Sequence, residues 1–255
     1  MKNKITNNDI IIFFFMNKKI RLYFSDKIQR DLVAHLKNEQ THYLKDVMRL
    51  KAGDTFSIFN SEGEWNAVIK SYEKANTQIK ILDKARGKIK EKNIWLAFTP
   101  IKQNPLNFII QKGTELGVQR FVPILTERTV VKDINIERIK KISVESSEQS
   151  NRISVPEITE LKKLKNFLSS FPKEGCLVFC DINCIQSDLK NILKKKDIGP
   201  ICILIGPEGD FSENERKLII DLDQSCSISL AKNILRSETA AIAAITLVNY
   251  HLNLS

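Results

Sequence analysis

The chain contains no Gly-x-Gly among its nine glycines and no G-x-x-x-x-G-K-[ST]. The first absence removes the dinucleotide fingerprint and the usual glycine-rich methyltransferase loop, and the second removes the P-loop. Nucleotide polyphosphates therefore lack their ordinary cradle. Histidine is scarce: His35, His42 and His251 have no paired spacing for a metal, and each reads as a surface or structural residue. The five cysteines are odd in number, which argues against a complete disulfide framework and suits a reducing cytosol. "CLVFCDINC" (176–184) touches iron–sulfur spacing. However, residues 176–181 read as a buried strand with Cys176 and Cys180 on one face, where free cysteine behaves as a small apolar residue. The apolar run "IIIFFFM" (10–16) is too short to span a bilayer. No small-residue cleavage site follows it, so no membrane partner is expected. Met16 opens "MNKKIRLYF", which reads as a first strand; residues 1–15 read as an appended or mis-assigned start without function.

What is present is an ordinary globular composition. Of 255 residues, 42 % are hydrophobic and 27 % charged. The net charge of +10 and a pI near 9.3 point to a polyanionic partner. The basic excess is spread along the chain, which fits RNA or DNA better than a lipid anchor; the bland alternative is a Lys-, Ile- and Asn-rich proteome. Residues 16–88 read as mostly β, with strands at 20–24, 54–60, 64–72 and 77–85, turns at 52–54 and 62–64, and one helix at 39–50. Short strands with a single helix suggest a small β-barrel of a kind that holds nucleic acid. After the basic linker "RGKIKEK" (86–92), residues 93–255 alternate apolar strands with helices. The strands are "NIWLAFTP", "RFVPILT", "CLVFCDI", "ICILIGP" and "SCSISL", the first helix stopping at Gly117 as a C′ glycine. The pattern predicts an α/β unit with a parallel sheet covered on both faces.

Such sheets bind ligands beyond the carboxyl ends of their strands. "ILIGPEGDFSENE" (203–215) follows the strongest apolar strand. Gly206 and Gly209 would allow close approach and unusual φ, Pro207 stiffens the turn, and Ser212 with Glu215 spells a capping box. A plain strand-to-helix turn is the competing reading. With no phosphate fingerprint, a neutral or cationic adenosyl ligand fits better than a polyphosphate. "LAKNILRSETAAIAA" (230–244) adds an R-x-E-T start to a small-residue helix, which a bland core helix would not need.

These two stretches, with "IIQKGTELGVQRFVPILTERTVV" (109–131), "EQSNR" (148–152) and "HYLKDVMRLKAGD" (42–54), resemble the RsmE family over about residues 16–252. That resemblance implies methylation of N3 of a uridine in the decoding region of 16S rRNA by S-adenosyl-L-methionine. It also implies a PUA-like RNA-binding β-barrel and a SPOUT-type α/β domain with a deep trefoil knot. A cytoplasmic homodimer holding the cofactor bent between knot loops follows from the same likeness. The cofactor residues it implies are Asp181 and Ile182; Leu204, Ile205, Gly206, Pro207, Glu208 and Gly209; and Leu230, Ala231, Ile234, Leu235, Arg236 and Thr239. The chain departs from the family at Asp210, where it usually has glycine, at Ala231, Lys232 and Asn233 in the usual L-G-P-R-I-L-R, and at Asn104, Pro105 and Asn107. Aspartate tolerates left-handed backbone better than most residues. Cofactor affinity and RNA grip are where these changes would act.

Chemistry supplies the roles. Uridine N3 attacks only after losing its proton, which spreads charge onto the flanking carbonyl oxygens. A fixed guanidinium, Arg236, would stabilise that charge, and Glu238 would position or accept the proton, with Asp210 a rival base and helix capping the plainer account of Glu238. A sulfonium is already an activated donor, so no metal is needed. A base inside folded RNA must leave its stack, so an apolar slot near the dimer seam is expected. Arg21, Arg49, Lys51, Lys102, Arg128 and Arg152 are the expected RNA contacts, although a solvated face explains any single one of them. The rival from another class is a non-catalytic RNA-binding or ribosome-assembly protein that keeps the fold without the cofactor. A dinucleotide oxidoreductase is a distant third.

Overall fold

The computed structural model describes residues 20–74, 76–184, 189–193 and 199–253. The supposed functionless start at 1–15, Met16, and parts of the helix expected from "QSDLKNILKKK" (186–196) lie outside them. The chain divides into two compact units, Met1–Ile89 and Lys90–Ser255.

The first unit contains β1 (Arg21–Tyr23), β2 (Val33–Leu36), α1 (Asn38–His42), β3 (Thr55–Asn60), β4 (Gly63–Tyr72) and β5 (Thr77–Gly87). They form a five-stranded sheet of order β1-β3-β4-β5-β2. Only β1 and β3 run parallel. Register shifts between β4 and β5 let these long strands bend. Leu22, Phe56, Ile58, Ile69, Ile79 and Ile81 meet in one core. β2 escapes sequence reading because it is a four-residue edge strand with Val33 and His35 exposed. The helix expected over 39–50 is shorter: α1 passes into a wider π-type turn at Tyr43–Val47, and Arg49 takes φ 56°, which ends a right-handed helix.

One expected RNA contact fails in this unit. Arg21 is only 8 % exposed; it donates to Glu64 at 3.2 Å and lies over the Phe59 ring at 4.3 Å. Arg86 reaches the same Glu64 carboxylate at 2.9 Å. Burial alone would raise the Glu64 pKa, but the Arg86 hydrogen bond and the two guanidinium charges outweigh it and hold the pKa low. Arg21 therefore supports the sheet from inside.

The second unit runs β6 (Ile94–Phe98), α2 (Gln103–Glu115), β7 (Arg120–Leu125), α3 (Ile136–Gln149), β8 (Glu157–Ile158), β9 (Lys162–Lys163), α4 (Leu164–Ser169), β10 (Cys176–Cys180), α5 (Leu189–Leu193), β11 (Ile201–Ile205), α6 (Glu213–Ile220), β12 (Ser225–Ile228) and α7 (Ser237–Asn253). The strands are all parallel, in the order β12-β10-β11-β6-β7-β8, with β9 also on β7. Alternation sorts their side chains. Ile94, Leu96, Phe98, Val178, Ile201 and Ile203 meet α2 and α7 on one face. Ala97, Val122, Leu177, Phe179, Cys202 and Leu204 meet α4 and α6 on the other. A sheet covered on both faces is what near-continuous apolar strands require. Cys176 and Cys180 share the first face, as their spacing implied.

α2 ends as its sequence promised. Gly117 has φ 92°; its N–H bonds Thr114 at 3.1 Å, and Val118 bonds Gly113 at 2.9 Å, the two bonds of a Schellman motif. Among the described residues no helix is long and apolar enough to cross a membrane. Because β11 lies between β10 and β6, three carboxyl ends stand side by side.

Candidate active site

The turn leaving β11 is built by short-range chemistry. Asp210 N–H donates to the Pro207 carbonyl at 3.0 Å. Asp210 itself takes φ 60°, and its Oδ1 accepts the Phe211 N–H at 2.8 Å. The left-handed residue is thus Asp210, the position where the resembled family carries glycine. Neither Gly206 nor Gly209 has a positive φ, so the unusual φ expected of them is corrected. Gly206 is required for space: a methyl group there would lie 2.6 Å from Phe211 Cε2. Phe211 is buried and packs edge-on against Phe179 at 5.4 Å, so its ring has little room to retreat. At Gly209 the same methyl would meet Arg128 Cβ at an ordinary 3.7 Å. Gly206→Ala is therefore expected to cost about 1–3 kcal/mol by overpacking and to weaken cofactor binding, while Gly209→Ala leaves both nearly unchanged; thermal melts with and without S-adenosylmethionine check this.

The capping box is present in both halves: Glu215 N–H to Ser212 Oγ at 3.3 Å, and Ser212 N–H to Glu215 Oε2 at 3.1 Å. The second Glu215 oxygen accepts Glu127 N–H at 2.9 Å. Arg128 donates to the Gly209 carbonyl at 2.9 Å. The loop after β7 therefore braces the loop after β11, and Arg128 has a positioning task besides its expected RNA contact.

Three loops enclose a cavity of about 560 Å³, within the size range of small-molecule sites. Ile205, Gly206, Pro207, Glu208 and Asp210 form one wall. Ile234, Leu235, Arg236 and Glu238 form the second, and Ile182 belongs to the third, with Lys102 at the start of α2. Ser237 Oγ reaches the Gly206 carbonyl at 3.4 Å, joining the first two walls. Cys180, Pro105, Ser237 and Ala240 also line the space, and none of them was among the expected site residues. Cys180 could have been found from its place directly before Asp181 at a strand end.

Other expected cofactor residues stand back from the cavity. Leu204 alternates onto the opposite face and packs with Phe179 and Phe211. Asp181 is buried and paired with Arg216 at 2.6 Å. Leu230 packs on the core, and Ala231 and Thr239 are exposed outside the lining. Of the expected RNA contacts, Arg49, Lys51, Lys102 and Arg128 are exposed. Arg152 is corrected: it is 8 % exposed and bonds the Thr114 and Val118 carbonyls at 2.7 and 2.8 Å.

The lining suits a partly apolar, positively charged ligand better than a polyphosphate. Its carboxylates are Glu208, Asp210 and Glu238, and its cations Lys102 and Arg236. Burial pushes the Cys180 thiol up, so it stays protonated and apolar in character.

The RNA methyltransferase domain family matches residues 88–249, and the RNA methyltransferase PUA domain family matches residues 36–82. This chain belongs to the ribosomal RNA small subunit methyltransferase E family. The member of that family from Rickettsia conorii is 33 % identical over 236 residues, covering 89 % of this chain and 94 % of that protein. The one from Buchnera aphidicola (subsp. Schizaphis graminum) is 33 % identical over 91 % of this chain and 96 % of its own. A solved methyltransferase E from Neisseria gonorrhoeae, bound to S-adenosyl methionine, superposes with TM-score 0.80 at 25 % identity, over 91 % of this chain and 97 % of that one. A putative methyltransferase from Legionella pneumophila, in complex with the same cofactor, gives 0.82 at 26 % over the same shares.

Proposed function

We propose that this chain is an S-adenosylmethionine-dependent methyltransferase acting on N3 of a uridine in 16S rRNA. The observation that carries it is the cavity at the carboxyl edge, where a tight turn after β11 faces the Arg236–Glu238 start of α7. The group fits the residues: apolar Ile182, Ile205 and Leu235 in the lining offer surface for an adenosyl moiety, and Glu208, Asp210 and Glu238 give the lining more acidic than basic residues, which suits a cationic ligand. S-adenosylmethionine, when bound, supplies an electrophilic methyl group. Arg236 then meets the negative charge that develops on the uracil carbonyls, and Glu238 or Asp210 takes the N3 proton. Lys102 at the same cavity holds backbone phosphate or base.

Two features bear on the wider reading. The exposed Ile182 (59 %) and Ile234 (85 %) at the rim supply the apolar slot for an extruded base. Near its end α7 carries the 60 % exposed Tyr250, which suits a homodimer seam. The strand order with β11 inside the sheet, and the contact of Ser237 with the Gly206 carbonyl across the shared cavity, support the trefoil-knotted reading. The cytoplasm, where ribosomal subunits are made, is the proposed location. The non-catalytic alternative loses its footing, since Asp210 satisfies its own turn and Ala231 lies outside the cavity lining.

The test is methyl transfer from labelled S-adenosylmethionine to 16S rRNA or small subunits, with mass spectrometry of the product nucleoside. Label at uridine N3 is expected. Binding of rRNA with no heat of cofactor binding and no label would return the reading to the non-catalytic alternative.

A further inference from the structure

Asp181 is the last residue before the cavity wall formed by Ile182, and it is 3 % exposed. Its Oδ1 accepts the Asn183 N–H at 2.9 Å, fixing the turn that presents Ile182. Its main chain is anchored as well, by Asp181 N–H to the Ile228 carbonyl at 2.9 Å and Cys184 N–H to the Asp181 carbonyl at 3.2 Å. The remaining oxygen, Oδ2, is met at 2.6 Å by Arg216 Nη2. Arg216 stands in the first turn of α6, with its N–H bonded to the capping Ser212 carbonyl at 2.8 Å. It therefore moves with the helix that the cofactor turn opens into. Asp210, within that turn, also lies close enough for its charge to act on the guanidinium. The Arg216 Nε is buried and has no partner among the described residues.

We propose that Arg216 is a positioning residue for the cofactor: it locks the Asp181 turn to the Gly206–Asp210 turn, holding two walls of the cavity at a fixed separation. The physical reason is the cost of a buried carboxylate. With Arg216 in place, one Asp181 oxygen is ion-paired while the other orients the Asn183 N–H. Without it, an ion nearly sealed from water must find another cation or water, and the turn moves to provide one. Ile182 moves with it. Arg216 touches neither the cavity nor the reacting atoms, so its removal should alter cofactor affinity and spare the chemical step.

This inference rests on the methyltransferase reading, and the experiment separates the two. Full-length wild type, R216M, R216K, D181N and the R216M/D181N double variant are titrated with S-adenosylmethionine calorimetrically and assayed on rRNA. Expected is a rise of about tenfold in cofactor Kd for R216M, the equivalent of one lost charge-assisted bond. KM for the cofactor rises in parallel, while kcat at saturation and KM for rRNA stay within about twofold. R216K recovers most of the affinity. D181N matches R216M, and the double variant is no worse than either, as expected for one shared interaction. R216M binding the cofactor as wild type does would overturn the proposal, as would equal changes in every kinetic constant tracking a fall in melting temperature. If R216M unfolds non-cooperatively, D181N decides by the same criteria. Wild type that binds no cofactor overturns the parent reading and this one together.

Discussion

Replacing Arg236 with alanine is expected to lower kcat by roughly 10²–10³-fold, about 2.7–4 kcal/mol, the usual loss when one donor to a developing oxyanion is removed. The side chain is exposed, lines the cavity, and makes no hydrogen bond or ion pair among the described residues. Little folded-state stability depends on it, so the melting temperature should move within the range of an ordinary surface change, about 0.5 kcal/mol. Its backbone carbonyl still accepts Ala240 N–H at 2.8 Å, so α7 keeps its first bond. Cofactor affinity should fall no more than about threefold, because a cationic ligand gains nothing from a cationic neighbour. An interaction made only as charge develops lowers kcat and kcat/KM together. Arg236→Lys should recover part of the rate, since the charge remains while the planar fork is lost. Near-normal turnover of the alanine variant, with cofactor and rRNA both saturating, would remove Arg236 from the chemistry.

How much of this was legible beforehand depended on the range of the interaction. The capping box at Ser212 and Glu215, the C′ glycine at 117 and the shared face of Cys176 and Cys180 are local, with spacings set by helix or strand period. Each was readable. The parallel sheet followed from apolar runs alternating with helices, but its order did not, because nothing in the residues of β11 says it inserts between β10 and β6. Leu204 was misjudged for a related reason. It belongs to the right strand, yet a period of two sends it to the opposite face from Ile205. Asp181 and Arg216 are thirty-five residues apart in sequence, and neither carries a local sign of the other. Asp210 was readable as a tolerated left-handed residue, whereas the need for a bare Gly206 emerged only with Phe211 folded beneath it.

Arg152 makes the sharpest case for burial over composition. A basic residue in a basic chain invites an RNA role, but this one is enclosed and both of its terminal nitrogens are bonded within the protein. Nη1 serves the Val118 carbonyl just past the end of α2 and adds a second bond to the Thr114 carbonyl, which also accepts the Gly117 N–H. Nη2 donates to Glu91 at 2.6 Å and to Ser154 Oγ at 2.9 Å. Ser154 Oγ in turn donates to Glu91 at 2.9 Å, and the Gln119 amide donates to the same carboxylate. Burial pulls the Arg152 pKa down, and the nearby Glu91 charge and hydrogen bond resist it. Arg152→Met keeps most of the volume but takes the cation from the Glu91 carboxylate and a donor from each of the Val118 and Thr114 carbonyls, of which Thr114 keeps the Gly117 N–H. Breaking a buried pair costs about 3–5 kcal/mol; with Glu91 22 % exposed, water relieves part of that, and about 2–4 kcal/mol is expected. At about 2–4 °C per kcal/mol for a domain of this size, the melting temperature should drop by roughly 5–15 °C. Adding Glu91→Gln should recover part of the loss, because the stranded charge is gone. A phosphate contact would behave oppositely: the melt would hold, and the slope of log affinity for rRNA against log salt would shrink by about one. The two measurements, made on the same variant, separate a strut from an RNA ligand, and an unchanged melt with a reduced salt slope would restore the surface role.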